Sequence, residues 1–133
     1  MSYIDCYLAP VPRANEAAYK VLAQLSAQVV KEYGAMRVVE SWLDDLSPNT
    51  SSYHGQTRRE HTAQYGSFMS AAGANADETV VLSWIEWPDK ATRDIGMAKL
   101  TSDPRMQFTD MHPVFDGLRL IAAGFLPMLD SAD

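Results

Sequence analysis

The stretch TVVLSWIEW at residues 79–87 decides the fold. It is a nearly continuous run of β-branched, aromatic and aliphatic side chains, and Pro88 ends it. Such a run is typical of a central strand that is buried on both faces. The sequence therefore predicts a sheet with this strand in its interior.

A helix and a further strand follow this stretch. Asp89 is a suitable N-cap for a helix over residues 91–100, although Gly96 costs this helix about 1 kcal/mol relative to alanine. Phe115-Asp116-Gly117 indicates a tight turn. We expect the last strand over residues 118–126.

A first unit with the same order, strand, helix and strand, precedes the stretch at residues 79–87. Residues 3–9 alternate with the period of a strand, and Pro10 and Pro12 are expected to end that strand. A helix follows from Asn15 to a left-handed cap at Gly34. Residues 36–43 are rich in β-formers and predict a second strand, whose inward face the sequence leaves open. One face of the first strand carries Ile4, Cys6 and Leu8, and the opposite face carries Tyr3, Asp5 and Tyr7.

Strand, helix, strand in two successive units predicts a ferredoxin-like βαββαβ fold of the α+β class. Its four-stranded antiparallel sheet has both helices on one face, and the first strand lies beside the third. The other face measures roughly 400 Å² in plan and is largely apolar, near the limit for a soluble monomer. We therefore expect a homodimer, a dimeric α+β barrel with a cleft between the two sheets.

The 133 residues predict one domain, residues 1–133, with a long loop insertion at about 47–76. Periodicity breaks down in this segment, which is rich in Gly, Ser, Thr, Asn and Gln. A lid, an interface arm and a disordered insert all remain open. Residues 59–72 are compatible with a short helix that presents Tyr65, Phe68 and Met69.

Composition and charge exclude several classes of partner. The net charge is −6 and no basic stripe is present, which argues against a nucleic-acid surface. The single cysteine, Cys6, forms no internal disulfide, and its place on the first strand predicts a small buried side chain. No basic segment followed by an apolar run opens the chain, so we expect no membrane partner and a cytoplasmic location.

Several polar and aromatic side chains are candidates for ligand binding in the predicted cleft. Asp5 is expected to face the dimer interior, where it acts as a base or holds a ligand hydroxyl; the alternative is a buried polar network with Arg119 or a tyrosine. The tryptophans form either an aromatic slot or ordinary core filling. His112 is the histidine best placed for the mouth of the cleft. The candidates are Tyr3, Asp5, Tyr7, Glu40, Trp42, Trp84, Glu86, His112 and Arg119.

No motif points to a metal, a cofactor or a nucleophile. His54 and His61 are seven residues apart and do not share one helix turn, and neither an HExxH pattern nor a glycine-rich phosphate loop is present. We therefore expect no metal and no cofactor.

The motifs SWIE (83–86), DPRM (103–106) and FDG (115–117), with several other short segments, resemble the YbaA-like family of the dimeric α+β barrel superfamily. The similarity covers nearly the whole chain, and the order SWIE, DPRM, FDG is its most specific part. It implies the ferredoxin-like fold and a homodimer, but no activity, because that family is itself uncharacterised. The segment at 47–76 is longer than the family's usual connection. The similar segments are YID (3–5), VP (11–12), AYK (18–20), EYGA (32–35), Trp42 with Asp44 and Asp45, DETVV (77–81), SWIE (83–86), DPRM (103–106) and FDG (115–117) with Arg119.

The sequence thus predicts a cytoplasmic homodimer that binds a small, partly aromatic or apolar molecule in its cleft. Two alternatives remain. One is a cofactor-independent enzyme of the oxygenase or isomerase type, and the other is a structural dimerisation module without a ligand.

Overall fold

A computed structural model describes residues 2–46, 66–108 and 113–131. Short 3₁₀ turns lie at Arg13–Asn15, Pro104–Met106 and Gly117–Arg119. The strands and α-helices of the described residues are, in chain order, β1 (Tyr3–Pro12), α1 (Glu16–Glu32), β2 (Arg37–Trp42), α2 (Phe68–Ala72), β3 (Glu78–Trp87), α3 (Lys90–Ser102) and β4 (Ile121–Phe125).

The four strands form one antiparallel sheet in the order β2-β3-β1-β4. β1 lies beside β3, as predicted, and β2 and β4 are the edge strands. This order, with α1 and α3 as the crossovers, is that of the ferredoxin-like fold. The predicted fold class is confirmed.

Strand register divides the sheet into two faces. On the helix face, Tyr3 pairs with Trp87 and Asp5 with Ile85. Tyr3, Ile85 and Trp87 pack with Val30 of α1. The opposite face, which we call the open face, is not covered by α1 or α3. Along every strand, the side chains of the open face alternate with those of the helix face. The members of the open face are Ile4, Cys6, Leu8 and Pro10 of β1, Arg37, Val39 and Ser41 of β2, Val80, Leu82, Trp84 and Glu86 of β3, and Ile121, Ala123 and Phe125 of β4.

The core under the helices is centred on Trp87, which is completely buried. α3 crosses its ring at Gly96, where a Cβ atom would lie 2.6 Å from the Trp87 ring and 2.9 Å from the Tyr33 carbonyl oxygen. Gly96 therefore allows α3 to approach the sheet closely, which offsets its low helix propensity. Asp89 caps α3 as predicted, since its carboxylate accepts a hydrogen bond of 2.7 Å from the Thr92 amide.

The structure corrects two element boundaries and one helix cap. β1 continues through Pro10 and Pro12. β4 pairs only with residues 4–8 of β1, so beyond residue 8 the β4 side of β1 has no paired strand. Proline is tolerated at such positions because no backbone N–H is needed there for pairing. β4 begins at Ile121 rather than at residue 118, since the 3₁₀ turn Gly117–Arg119 precedes it. Asn15 does not cap α1 with its side chain, which donates to the Val114 carbonyl oxygen instead.

A short helix from the segment between β2 and β3 packs on the open face. α2 begins at the N-cap Ser67, ends at Gly73 with a φ of 68°, and contacts β1 and β3. It covers the end of the open face at Pro10 and Val80, both fully buried. The part of the predicted 59–72 helix before residue 66 lies outside the described residues. In the described ranges, no helix has the length and apolar character needed to cross a membrane.

Candidate functional site

The nine predicted site residues do not converge on one cleft. Tyr3, Asp5 and Tyr7 lie on the helix face, under α1 and α3. Trp84 and Glu86 lie on the open face. Two others, Glu40 and Trp42, share a groove beside α1, Arg119 lies at the end of the sheet near Glu78, and His112 falls outside the described residues.

Asp5 does not face away from the helices, so that prediction is wrong. Its carboxylate accepts 2.9 Å and 3.1 Å hydrogen bonds from Trp87 Nε1 and Arg93 Nε. Arg93 also donates to the Tyr3 hydroxyl at 3.1 Å and stacks over that ring at 4.7 Å. Gly124 of β4 leaves space for this contact. Because the charge of Asp5 is paired and its oxygens are satisfied, the network fixes α3 on the sheet.

Arg119 pairs with Glu78 rather than with Asp5. Its Nη2 and Nη1 donate to the two Glu78 carboxylate oxygens at 2.6 Å and 2.9 Å, and Nη1 also donates to the Gly73 carbonyl oxygen. The guanidinium lowers the pKa of Glu78 to about 2. This bidentate pair ties the turn before β4 to the start of β3 and the end of α2.

Tyr7 lies half-buried on the helix face, beside the Asp5 network. Burial, with the negative charge of Asp5, raises its pKa to about 12. Its phenol is therefore protonated at neutral pH and is not poised as a base.

A groove between α1 and β2, here the α1–β2 groove, brings Glu40 and Trp42 together. The Tyr19 hydroxyl donates to Glu40 Oε1 at 2.8 Å, and the rings of Tyr19 and Trp42 lie 5.4 Å apart at 58°. The groove has a volume of about 390 Å³ and is open to solvent. Partial burial raises the pKa of the Glu40 carboxyl, although the residue as a whole is exposed.

A second cavity, the open-face pocket, lies between the ends of β2 and β3 and the start of α2. Its volume is about 510 Å³. Leu43, Val80, Leu82 and Phe68 form apolar walls, and Asp44 and Asp45 also line it. The pocket is thus mainly apolar, with negative charge on one side.

Trp84 and Glu86 lie in the middle of the open face. Trp84 Nε1 donates to Glu86 at 2.9 Å, and Arg37 lies 3.7 Å from the same carboxylate. Cys6, which pairs with Trp84 across the ladder, is half-buried rather than buried. The indole and the carboxylate are therefore partners of each other in a surface that is otherwise largely apolar.

Two important side chains were not among the sequence candidates. Tyr19 is a buried residue of α1 that gives no separate signal in the sequence, although a buried Tyr brings a hydroxyl that needs a partner. Arg93 is a charged residue in the middle of α3, and only the crossing of α3 over β1 brings it to Asp5. Among the described residues, no group of three or more His, Cys, Asp or Glu side chains is arranged to hold a metal ion.

Comparison with known proteins identifies relatives of this chain but supplies no activity. Residues 2–117 match a family described as "Protein of unknown function (DUF1428)". The chain belongs to the DUF1428 family. Relatives of this DUF1428 protein include the "Uncharacterized protein YbaA" of Escherichia coli strain K12 and that of Shigella flexneri. Each is 37% identical over 131 residues, which cover 98% of this chain and 99% of the relative. The predicted resemblance to the YbaA-like family is confirmed, and the dimeric α+β barrel superfamily stays a prediction.

Proposed function

We propose that this DUF1428 protein is a homodimer formed through the open face, and that it binds a small, mainly apolar molecule in the open-face pocket. The supporting observation is the exposure of large apolar side chains on one continuous surface. Phe125 is 54% exposed and Ile121 is 49% exposed, and both belong to the open face. Contiguous apolar surface of this kind marks interaction sites in soluble proteins.

The extent of the apolar surface favours a second copy of the chain as the partner. The open face spans roughly 400 Å² in plan, whereas a stable interface buries about 800 Å² on each partner. Beyond β4, Leu126, Met128 and Leu129 are 61%, 100% and 80% exposed, and they extend the apolar surface. Two such surfaces related by a two-fold axis are self-complementary, as homodimer interfaces must be.

The chemistry of the pocket selects its ligand. The apolar walls favour a hydrocarbon or aromatic body, and the carboxylates of Asp44 and Asp45 disfavour an anion. A partner packed on the open face would lie over the pocket and exclude water from it. We therefore propose a neutral ring compound as the ligand. We place the dimer in the cytoplasm, where an unpaired cysteine such as Cys6 is usual.

Matched variants in β4 test the dimer. Ala123 lies on the open face, opposite Cys6, whereas its neighbour Ala122 lies on the other face, opposite Tyr7; both are exposed. Ala123→Glu places two like charges in the proposed interface and should yield a folded monomer in analytical ultracentrifugation. Ala122→Glu should remain dimeric. A dimer unaffected by Ala123→Glu would exclude this face as the interface.

A neutral fluorescent probe tests the pocket. We expect N-phenyl-1-naphthylamine to bind wild-type protein with enhanced emission and Leu43→Glu to weaken its affinity by about tenfold or more, because a charge then enters the apolar wall. Val21→Glu adds the same charge on an exposed site of α1 and should have no effect. Equal affinity in both variants would exclude the pocket. If wild-type protein is dimeric but does not bind the probe, the alternative of a structural dimerisation module without a ligand is favoured.

A further inference from the structure

The α1–β2 groove lies on the helix face, on the other side of β2 from the open-face pocket, and Ser41 and Trp42 border both cavities. Its α1 wall includes the small side chains Ala23 and Ala27, and its β2 wall includes Val38, Glu40 and Trp42. The alanines leave space beside β2 that larger side chains would fill. The result is a groove of about 390 Å³ that leads to one carboxylate.

The charge of that carboxylate is not compensated by the described part of the chain. Glu40 accepts hydrogen bonds from the hydroxyls of Tyr19 and Ser83, which are neutral donors. Lys20 also lines the groove, but among the described residues no cation forms an ion pair with Glu40. A carboxylate that opens into a groove without a counter-ion favours a cationic ligand by direct charge attraction.

The aromatic side chains add a second preference for a cation. Phe115 packs edge-on against Tyr19 at 5.7 Å, so the Tyr19 ring that contacts Trp42 is itself supported. Trp42 remains 37% exposed. Indole faces attract ammonium groups, and the attraction grows when both are partly desolvated.

We propose that the α1–β2 groove is a binding site for a small organic ammonium compound, with Glu40 as its counter-ion and Trp42 as an aromatic wall. The single carboxylate favours an ammonium over a metal ion, which needs several oxygen ligands. Ala23, Ala27 and Val38 accept the apolar body of the ligand. The groove thus selects an amine that carries an alkyl or aromatic group.

Isothermal titration calorimetry with benzylammonium at pH 7 tests this site. We expect wild-type protein to bind it with a Kd on the order of 0.1–1 mM, a range usual for a ligand of this size. Glu40→Gln keeps the shape and the hydrogen-bond acceptor but removes the charge, and it should weaken binding by about tenfold or more. Asp77→Asn removes an exposed charge in the turn before β3 and should leave binding unchanged.

Further measurements distinguish recognition of the ligand's charge from nonspecific hydrophobic binding. Benzyl alcohol, a neutral analogue, should bind wild-type protein about tenfold more weakly than benzylammonium, and Glu40→Asp should retain more affinity than Glu40→Gln. Trp42→Ala should also weaken binding. Circular dichroism and the unfolding midpoint confirm that each variant is folded. No measurable binding by wild-type protein, equal binding of alcohol and ammonium, or full binding by Glu40→Gln would overturn the proposal.

Discussion

Gly96→Ala is expected to destabilise the protein although alanine is the better helix former. Alanine gains about 1 kcal/mol in an exposed helix interior. Here its Cβ atom would lie 2.6 Å from the Trp87 ring and 2.9 Å from the Tyr33 carbonyl oxygen, well inside ordinary carbon contact distances of about 3.5–4.0 Å.

Neither neighbour is free to move away. Trp87 is completely buried and its Nε1 donates to Asp5 at 2.9 Å, while the Tyr33 oxygen belongs to the backbone at the end of α1. α3 must therefore shift outward, and overpacking of this kind costs about 1–3 kcal/mol or more. Because these contact distances are very short, we expect the cost of overpacking to lie in the upper part of that range. After subtraction of the helix propensity, the net loss in unfolding free energy is about 1–2 kcal/mol.

Urea unfolding at one fixed protomer concentration measures this loss. Gly117→Ala is the matched control, since a Cβ atom there meets no atom within 4 Å. It should change the unfolding free energy by less than about 1 kcal/mol. A Gly96→Ala variant as stable as wild type, or more stable, would refute the close approach of α3 to Trp87.

Two further predictions concern contacts that hold the edge of the sheet. Glu78→Gln should reduce the unfolding free energy by about 1–3 kcal/mol at pH 7, because Arg119 loses its bidentate partner. Since the folded pKa of Glu78 is about 2, below its ordinary value of 4.5, the difference should be complete above pH 4.5 and disappear as the pH falls towards 2. A difference that does not vary with pH in urea unfolding would contradict the ion pair. Gly124→Ala should lower the thermal midpoint, because its Cβ atom would overlap the Tyr3 hydroxyl and the Arg93 guanidinium; calorimetry that shows an unchanged midpoint would contradict this packing.

The sequence was sufficient for the fold because its signals are local. The apolar run that ends at Trp87, the N-cap Asp89 and the glycine at position 34, with a φ of 115°, each act within a few residues. Edge effects were less predictable. Whether Pro10 ends a strand depends on how far β4 reaches along β1, and that is a property of the assembled sheet.

The candidate site was less predictable because alternation separates the two faces of a strand without saying which one meets the helices. Both faces of β1 carry apolar side chains, so Asp5 was assigned to the wrong one. Its partner Arg93 is 88 residues away in sequence. For β2, by contrast, the sequence left the choice open, and the bond from Tyr19 to Glu40 places Val38, Glu40 and Trp42 on the helix face.

Sedimentation equilibrium of wild-type protein at micromolar concentration tests the proposed dimer most directly. We predict one species with twice the 14.7 kDa mass of the chain. A well-folded species of 14.7 kDa would contradict the proposal, because the open face and the apolar residues that follow β4 would then remain in water.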